Sequence, residues 1–227
     1  MNYLLRIVLL SGLNVLLVLP SFSQGLSFSY LIPKDGYLSA PISPFSIRGI
    51  GVDMGFIGIE TGFSLYYMGG LGMKGLPFDA GKPLTGPHMS LLIPLQLGLI
   101  INGKFVSMRL KGGGFGLWHI NPRINEGNMD RALRDYQSWV VLNSDLKMDN
   151  SLGGGWIVDT SLEFHVADNF SISTEFSYLK GHTKSSLEGT YTGADNSGSL
   201  QTLSASFHDS KISLEGFEVS IGVVVDM

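Results

Sequence analysis

The sequence predicts an all-β fold: an eight-stranded antiparallel transmembrane β-barrel with short periplasmic turns and long external loops. Three observations predict it. The stretch from Ser90 to Gly113 reads as a hairpin about Asn102-Gly103, a pair suited to a type I′ turn. Each arm is about 10–12 residues long, enough to cross a bilayer when tilted. With Ile101 opposite Lys104, one face carries Leu99/Val106, Leu97/Met108, Leu95/Leu110 and Ile93/Gly112. The other carries Gly98/Ser107, Gln96/Arg109 and Pro94/Lys111. Apolar-out, polar-in alternation at this length is the mark of a membrane barrel. The second observation is that connections alternate in length. Short turns fall near 54–55, 102–103 and 167–169, and long connections span 69–89, 119–151 and 190–209. The third is an N-terminus that reads as an export signal. A short basic start ending at Arg6 precedes an apolar run from Ile7 to Pro20, and Ser21 and Ser23 supply small residues for cleavage after Ser23. Residues 1–23 are the expected signal peptide and 24–227 the barrel, a mature chain of about 204 residues that suits one domain.

In order, the expected strands are 25–32, 46–54, 56–68, 90–101, 104–118, 153–166, 170–185 and 210–226. The first is needed because 46–54 descends toward a short turn, so an ascending strand must precede it. The second and third turn at Met54-Gly55, setting Val52 and Ile50 beside Ile57 and Ile59, with Gly51, Gly58 and Glu60 opposite. In this register Arg48 points at lipid, where a mid-membrane Arg costs about 2–4 kcal/mol. It must snorkel to the rim, or a bulge must re-aim it. The sixth and seventh strands fold about Ala167-Asp168-Asn169, joining Phe164 to Ile172 and Leu162 to Thr174. The last strand turns Phe217, Val219, Ile221, Val223 and Val225 outward and Glu218, Ser220 and Gly222 inward.

This pattern resembles the small outer-membrane barrels of the OmpA/OmpX type in Gram-negative bacteria, over nearly the whole mature chain. The resemblance implies a bacterial outer-membrane location, contact with outer-membrane lipid and insertion by the outer-membrane assembly machinery. The family's C-terminal assembly signal falls on Ser220, Gly222, Val225 and Met227, with Met227 in place of the usual terminal aromatic. The resemblance also suggests a salt-bridged polar plug. Eight strands leave a lumen just wide enough for side chains to fill. The inward list is Glu60, Gln96, Arg109, Lys111, Asp159, Glu163, His165, Glu175 and Glu218. Glu60, Arg109 and Glu175 fall at similar heights, and a buried Arg109 requires a carboxylate.

Composition narrows the function. There is no cysteine, which excludes disulfides, an N-terminal lipid anchor on cysteine and thiolate metal sites. Net charge is −4, so no basic surface invites nucleic acid. Only 15% of residues are charged against 44% hydrophobic, and thirty glycines suit turns and crowded barrel interiors. The five histidines lack metal-ligand spacing, so no metal and no cofactor is expected. His208-Asp-Ser210 resembles the His-x-Ser of outer-membrane lipid A deacylases, with Glu215 or Glu218 as the third group. The bland reading, loop polar residues, is preferred, and no catalytic residue is assigned. In loop 119–151, Asn128 suits a helix cap and Met129, Leu133, Tyr136 and Val140 an apolar stripe, so this loop is the candidate contact for an external partner. The expected role is non-enzymatic: structural, or interaction through the loops. The alternatives are a small lipid-acting enzyme and a barrel that binds or passes a small hydrophobic molecule. A soluble lipocalin-like barrel with its apolar faces inside is a third architecture.

Overall fold

The computed structural model describes residues 23–34 and 42–226; residues 1–22 of the expected signal peptide and Met227 lie outside them. Among the described residues there are eleven strands: β1 (Ser23–Pro33), β2 (Ile42–Met54), β3 (Ile57–Met68), β4 (Met73–Lys74), β5 (His88–Ile101), β6 (Val106–Ile120), β7 (Val141–Asn150), β8 (Gly153–Ala167), β9 (Phe170–Ala194), β10 (Leu200–Phe207) and β11 (Lys211–Asp226). Eight of them close a ring in the order β1-β2-β3-β5-β6-β8-β9-β11, and β11 pairs back onto β1 from Ser23/Asp226 to Pro33/Gly216. These eight correspond to the expected strands, most with bounds within two residues; β2 starts four residues earlier and β9 ends nine residues later. Full closure removes the sheet edges.

The wall has an apolar outside. Phe28, Leu95, Leu97 and Ile221 are 61–72% exposed, whereas Gln96 and Glu218 between such neighbours are 1–2% exposed. This polarity is the reverse of a soluble ligand-binding barrel. Phe164/Ile172 and Leu162/Thr174 pair as the alternation implies; near the β2–β3 turn Val52 pairs with Ile59 and Met54 with Ile57, two residues along from the expected Val52/Ile57 and Ile50/Ile59 but on the same face.

Two registers differ from expectation. In the β5–β6 hairpin Ile101 lies opposite Met108, not Lys104, and Leu99 opposite Leu110. Asn102-Gly103 therefore belongs to a wider loop. The cause is pairing on the far side: β6 stays bound to β8 down to Val106/Phe164, and the His165 amide donates to the Phe105 carbonyl at 3.0 Å. The slip is even-numbered, so both faces survive it. In β2 the pairing with β3 jumps between Ile47/Phe63 and Ile50/Thr61, and Gly49 has φ +79°. This bulge re-aims Arg48 into the lumen, where it is 6% exposed. The expectation of a lipid-facing Arg48 is thereby corrected.

The long connections are ordered too. β9 runs nine residues beyond the expected end at 185, because its neighbours change rather than stop. β8 gives way to β7 from Asn150/Ser185, and β11 gives way to β10 from Phe207/Leu187. The expected loop 190–209 is thus largely a hairpin. Helix α1 (Glu126–Gln137) packs on this β7-β9-β10 sheet through Met129, Ala132 and Leu133, together with Leu84, Leu187, Tyr191 and Ala205. Its cap is Asn125, not Asn128: the Asn125 side chain accepts from the Asn128 amide at 3.2 Å. The helix ends at Ser138 in the left-handed region (φ +56°), so Val140 lies beyond it and is exposed.

Candidate functional site

The lumen is filled in layers. At the short-turn mouth, Arg109 meets Asp53 at 3.1 Å, and His165 is held between Ser107 (2.8 Å) and Ser171 (2.9 Å), with Glu163 4.0 Å away. Deeper lies a buried ionic cluster. The Arg48 guanidinium donates to Glu175 and Glu218, each at 2.5 Å, and to the Ser64 hydroxyl at 3.1 Å. The Lys111 ammonium reaches Glu60 and Glu175 at 2.9 Å and Asp159 at 3.3 Å. Glu175 joins the two cations. The cluster holds more carboxylates than cations, and neutral donors cover the difference. The Tyr66 hydroxyl donates to Glu218, the Gln96 amide to Asp159, the Gly49 amide to Glu60 at 3.1 Å and the Ser220 hydroxyl to Glu218 at 3.2 Å. β1, β2, β3 and β11 also contribute small inward serines. Ser29 meets Ser220 at 2.7 Å, and Ser46 donates to Ser64 at 3.0 Å. Small side chains here leave room for the long ones from β2, β6 and β9.

Toward the long-loop end the lumen turns apolar. Leu31, Met68, Leu92, Phe115, Leu117, Ile157, Leu179 and Leu214 form one core, with Leu71 and Met73 of the 69–89 connection packed into it. Gly155 and Gly181 make space for the Phe115 ring: a Cβ on either would meet its Cζ at 2.6–2.7 Å. His88 and His119 stand edge to face at the side of this layer, with Nε2 to Nδ1 at 3.2 Å and Ser90 Oγ 2.6 Å from His119.

All the inward residues read from the sequence are found inside the ring, but not in the expected grouping. Arg109 is at the mouth, and Arg48 and Lys111 hold the centre. The hairpin slip accounts for this. Moving β6 toward the short-turn end relative to β5 lowers Arg109 to the level of Asp53 and brings Lys111 to Glu60 and Glu175. Tyr66 and the histidine pair were not singled out from sequence, because a Tyr or His in an alternating strand carries no sign of its partner. Ser220, Gly222 and Val225 lie on β11 as expected, Gly222 against Ser27 and Ser173.

His208 and Ser210 do not assemble a nucleophile. The Ser210 hydroxyl is buried and donates to the carbonyls of Ser185 (2.5 Å) and Phe207 (2.8 Å). His208 faces solvent, with Ser206 at 2.8 Å and Glu188 at 3.4 Å. Glu215 lies on the outer wall with Lys34, and Glu218 in the lumen with Arg48. In the β9–β10 turn, hydrogen bonds from the Ser197 hydroxyl and amide hold the Asp195 carboxyl below the usual carboxylate range.

No family model matches the chain, and no curated protein matches it. Solved structures do. The chain is similar to the outer membrane protein OprG from Pseudomonas aeruginosa, at 11% identity and a TM-score of 0.53, covering 90% of this chain and 96% of that one. It is also similar to Ail, the attachment invasion locus protein of Yersinia pestis, at 12% identity and a TM-score of 0.40, covering 91% and 97%. With its closed eight-stranded ring, apolar outer wall and short turns at one end, the chain has the fold of a small outer-membrane β-barrel, the fold it shares with OprG.

Proposed function

We propose that this barrel is a closed, non-enzymatic anchor that presents an ordered head outside the membrane for interaction with a partner. The observation that carries the proposal is β9. Ten of its residues, Ser185 to Ala194, continue past the barrel and pair with β7 on one side, β10 also joining them from Leu187 on the other. At about 3.3 Å per residue this lifts the sheet some 30 Å from the barrel rim. The head has its own core beneath α1, and its tip exposes Val140, Val141 and Leu200. A rigid platform with an apolar tip suits protein recognition better than diffusion. Loop 119–151, which supplies α1 and β7, remains the expected contact. Insertion by the outer-membrane assembly machinery through Ser220, Gly222, Val225 and Met227 belongs to the same proposal.

The lumen supports the closed state. An ionic layer and an apolar layer lie in series, and the space left beside Arg48, Glu60, Lys111 and Glu175 is about 50 Å³. That is room for a water or two, not a column. Purified protein in planar bilayers is expected to show no steady porin-sized current. A large, ion-selective, persistent conductance would overturn the closed reading and move the function to diffusion.

A further inference from the structure

We propose that β10 is an edge for self-recognition: it pairs antiparallel with β10 of a second copy of this chain held in a facing membrane. The inference rests on the interaction role proposed above and names the partner. Its first observation is the state of the two edges of the head sheet. β7 and β10 each pair with β9 and, among the described residues, with no other strand. A bare edge offers a row of unpaired amides and carbonyls to another strand. Natural sheets blunt such an edge with charge, proline, a bulge or brevity. β7 carries Asp145, Lys147 and Asp149. β10 reads Leu-Gln-Thr-Leu-Ser-Ala-Ser-Phe, eight residues with no charge, no proline and no glycine. Its register with β9 runs without a break, and Leu200 to Ser204 are all exposed. Closure protects the barrel strands and charge protects β7; β10 has neither.

The second observation is what this edge accepts. An uncharged strand meets its own copy with no like charges opposed. An antiparallel pair has its two-fold axis perpendicular to the sheet, so residues opposite each other share a face. Leu203 is 37% exposed at the middle of the strand, on the α1 side with Tyr191. Centring the axis there sets Leu203 against Leu203 of the second copy. On the other face Thr202 comes opposite Ser204, and Leu200 opposite Ser206. The ladder then closes short of Phe207, whose ring already meets Phe78 with centroids 5.7 Å apart. Two β7-β9-β10 sheets become one of six strands. Symmetry places the second copy. The head sheet continues the barrel wall through β9, so its perpendicular lies close to the membrane plane. A two-fold along that line inverts the second copy and puts its membrane opposite. Copies side by side in one membrane are related by an axis along the membrane normal. Strands tilted about 35–45° from that normal then cross instead of running antiparallel.

Two populations of phosphatidylcholine vesicles, labelled with different dyes and carrying the full chain, test this by two-colour clustering. Mixed clusters are expected when both populations carry the protein, and none when only one does. Leu203→Lys sets two ammonium groups opposite each other and should lower clustering at least tenfold. Asn143→Lys, on the far edge of the same sheet, should leave it unchanged. The chain has no cysteine of its own, so Leu203→Cys supplies a single thiol. With copper phenanthroline as oxidant, it should join tagged protein of one population to untagged protein of the other in a disulfide-linked dimer. Vesicles that stay apart, or that cluster when one population is bare, would overturn self-recognition. Wild-type clustering by Leu203→Lys would overturn β10 as the edge. Clustering without the linked dimer would overturn the register about Leu203. The first comparison uses unmodified protein, so it stands even if a variant fails to fold. Vesicles that stay apart leave the head free for a different partner, and a porin-sized current leaves the edge free to pair, so this proposal and the closed-anchor reading fail separately.

Discussion

Arg48 shows how one side chain can organise a lumen. It is buried, it contacts two glutamates from different strands, and one of these also holds Lys111. Truncating it leaves Glu218 with neutral donors alone, Tyr66 and Ser220, and Glu175 with one cation, Lys111. Arg48→Ala is expected to destabilise the barrel by about 3–5 kcal/mol, the usual cost of breaking a buried pair. Arg109 is the natural contrast. Its partner Asp53 is 47% exposed at the mouth, so Arg109→Ala should cost about 1 kcal/mol or less. Urea unfolding in detergent, followed by the loss of the compact gel band in unheated samples, would compare the two. Equal effects would place the centre of the cluster elsewhere. The sequence alternation alone suggested the opposite order, because it puts Arg109 on the inward list and Arg48 on the lipid side.

At the level of elements, the difference lies in what alternation can report. A period-two pattern fixes which face of a strand looks outward, and on seven of the eight barrel strands it did so over the full length. It does not report position along the strand. The β5–β6 slip shows this: every face is kept, yet Gln96 lies across from Gly113 instead of Arg109. Asn102-Gly103 is a strong local turn signal, but the ladder with β8 outweighs it. β2 is the strand on which the faces themselves fail, and the residue responsible is Gly49. Glycine inside a strand suggests a bulge, and here it follows a central cation of the lumen. A side chain at φ +79° is strained. Gly49→Val is therefore expected to cost about 1–2 kcal/mol, read as a lowered unfolding midpoint. A neutral result would mean the bulge can form without glycine. The head was less legible for a related reason. Ser185 to Ala194 alternates weakly, because its buried side rests on a thin core of Leu187 and Tyr191 instead of a bilayer.

For the whole molecule, the barrel and the head share one unbroken strand. β9 is paired on both sides within the membrane, by β8 and β11, and on both sides in much of the head, by β7 and β10. A tug on the head along the barrel axis therefore loads the β8–β9 and β9–β11 ladders lengthwise. Their hydrogen bonds lie across the direction of pull and must give way together, instead of opening one after another like a zipper. The arrangement suits a tether under tension. Single-molecule pulling on the β9–β10 turn, with the barrel held in a bilayer, is expected to rupture the head sheet at lower force and the barrel only afterwards, at a higher one. Simultaneous extraction of head and barrel in a single event would show that the handover at Ser185 is no mechanical boundary.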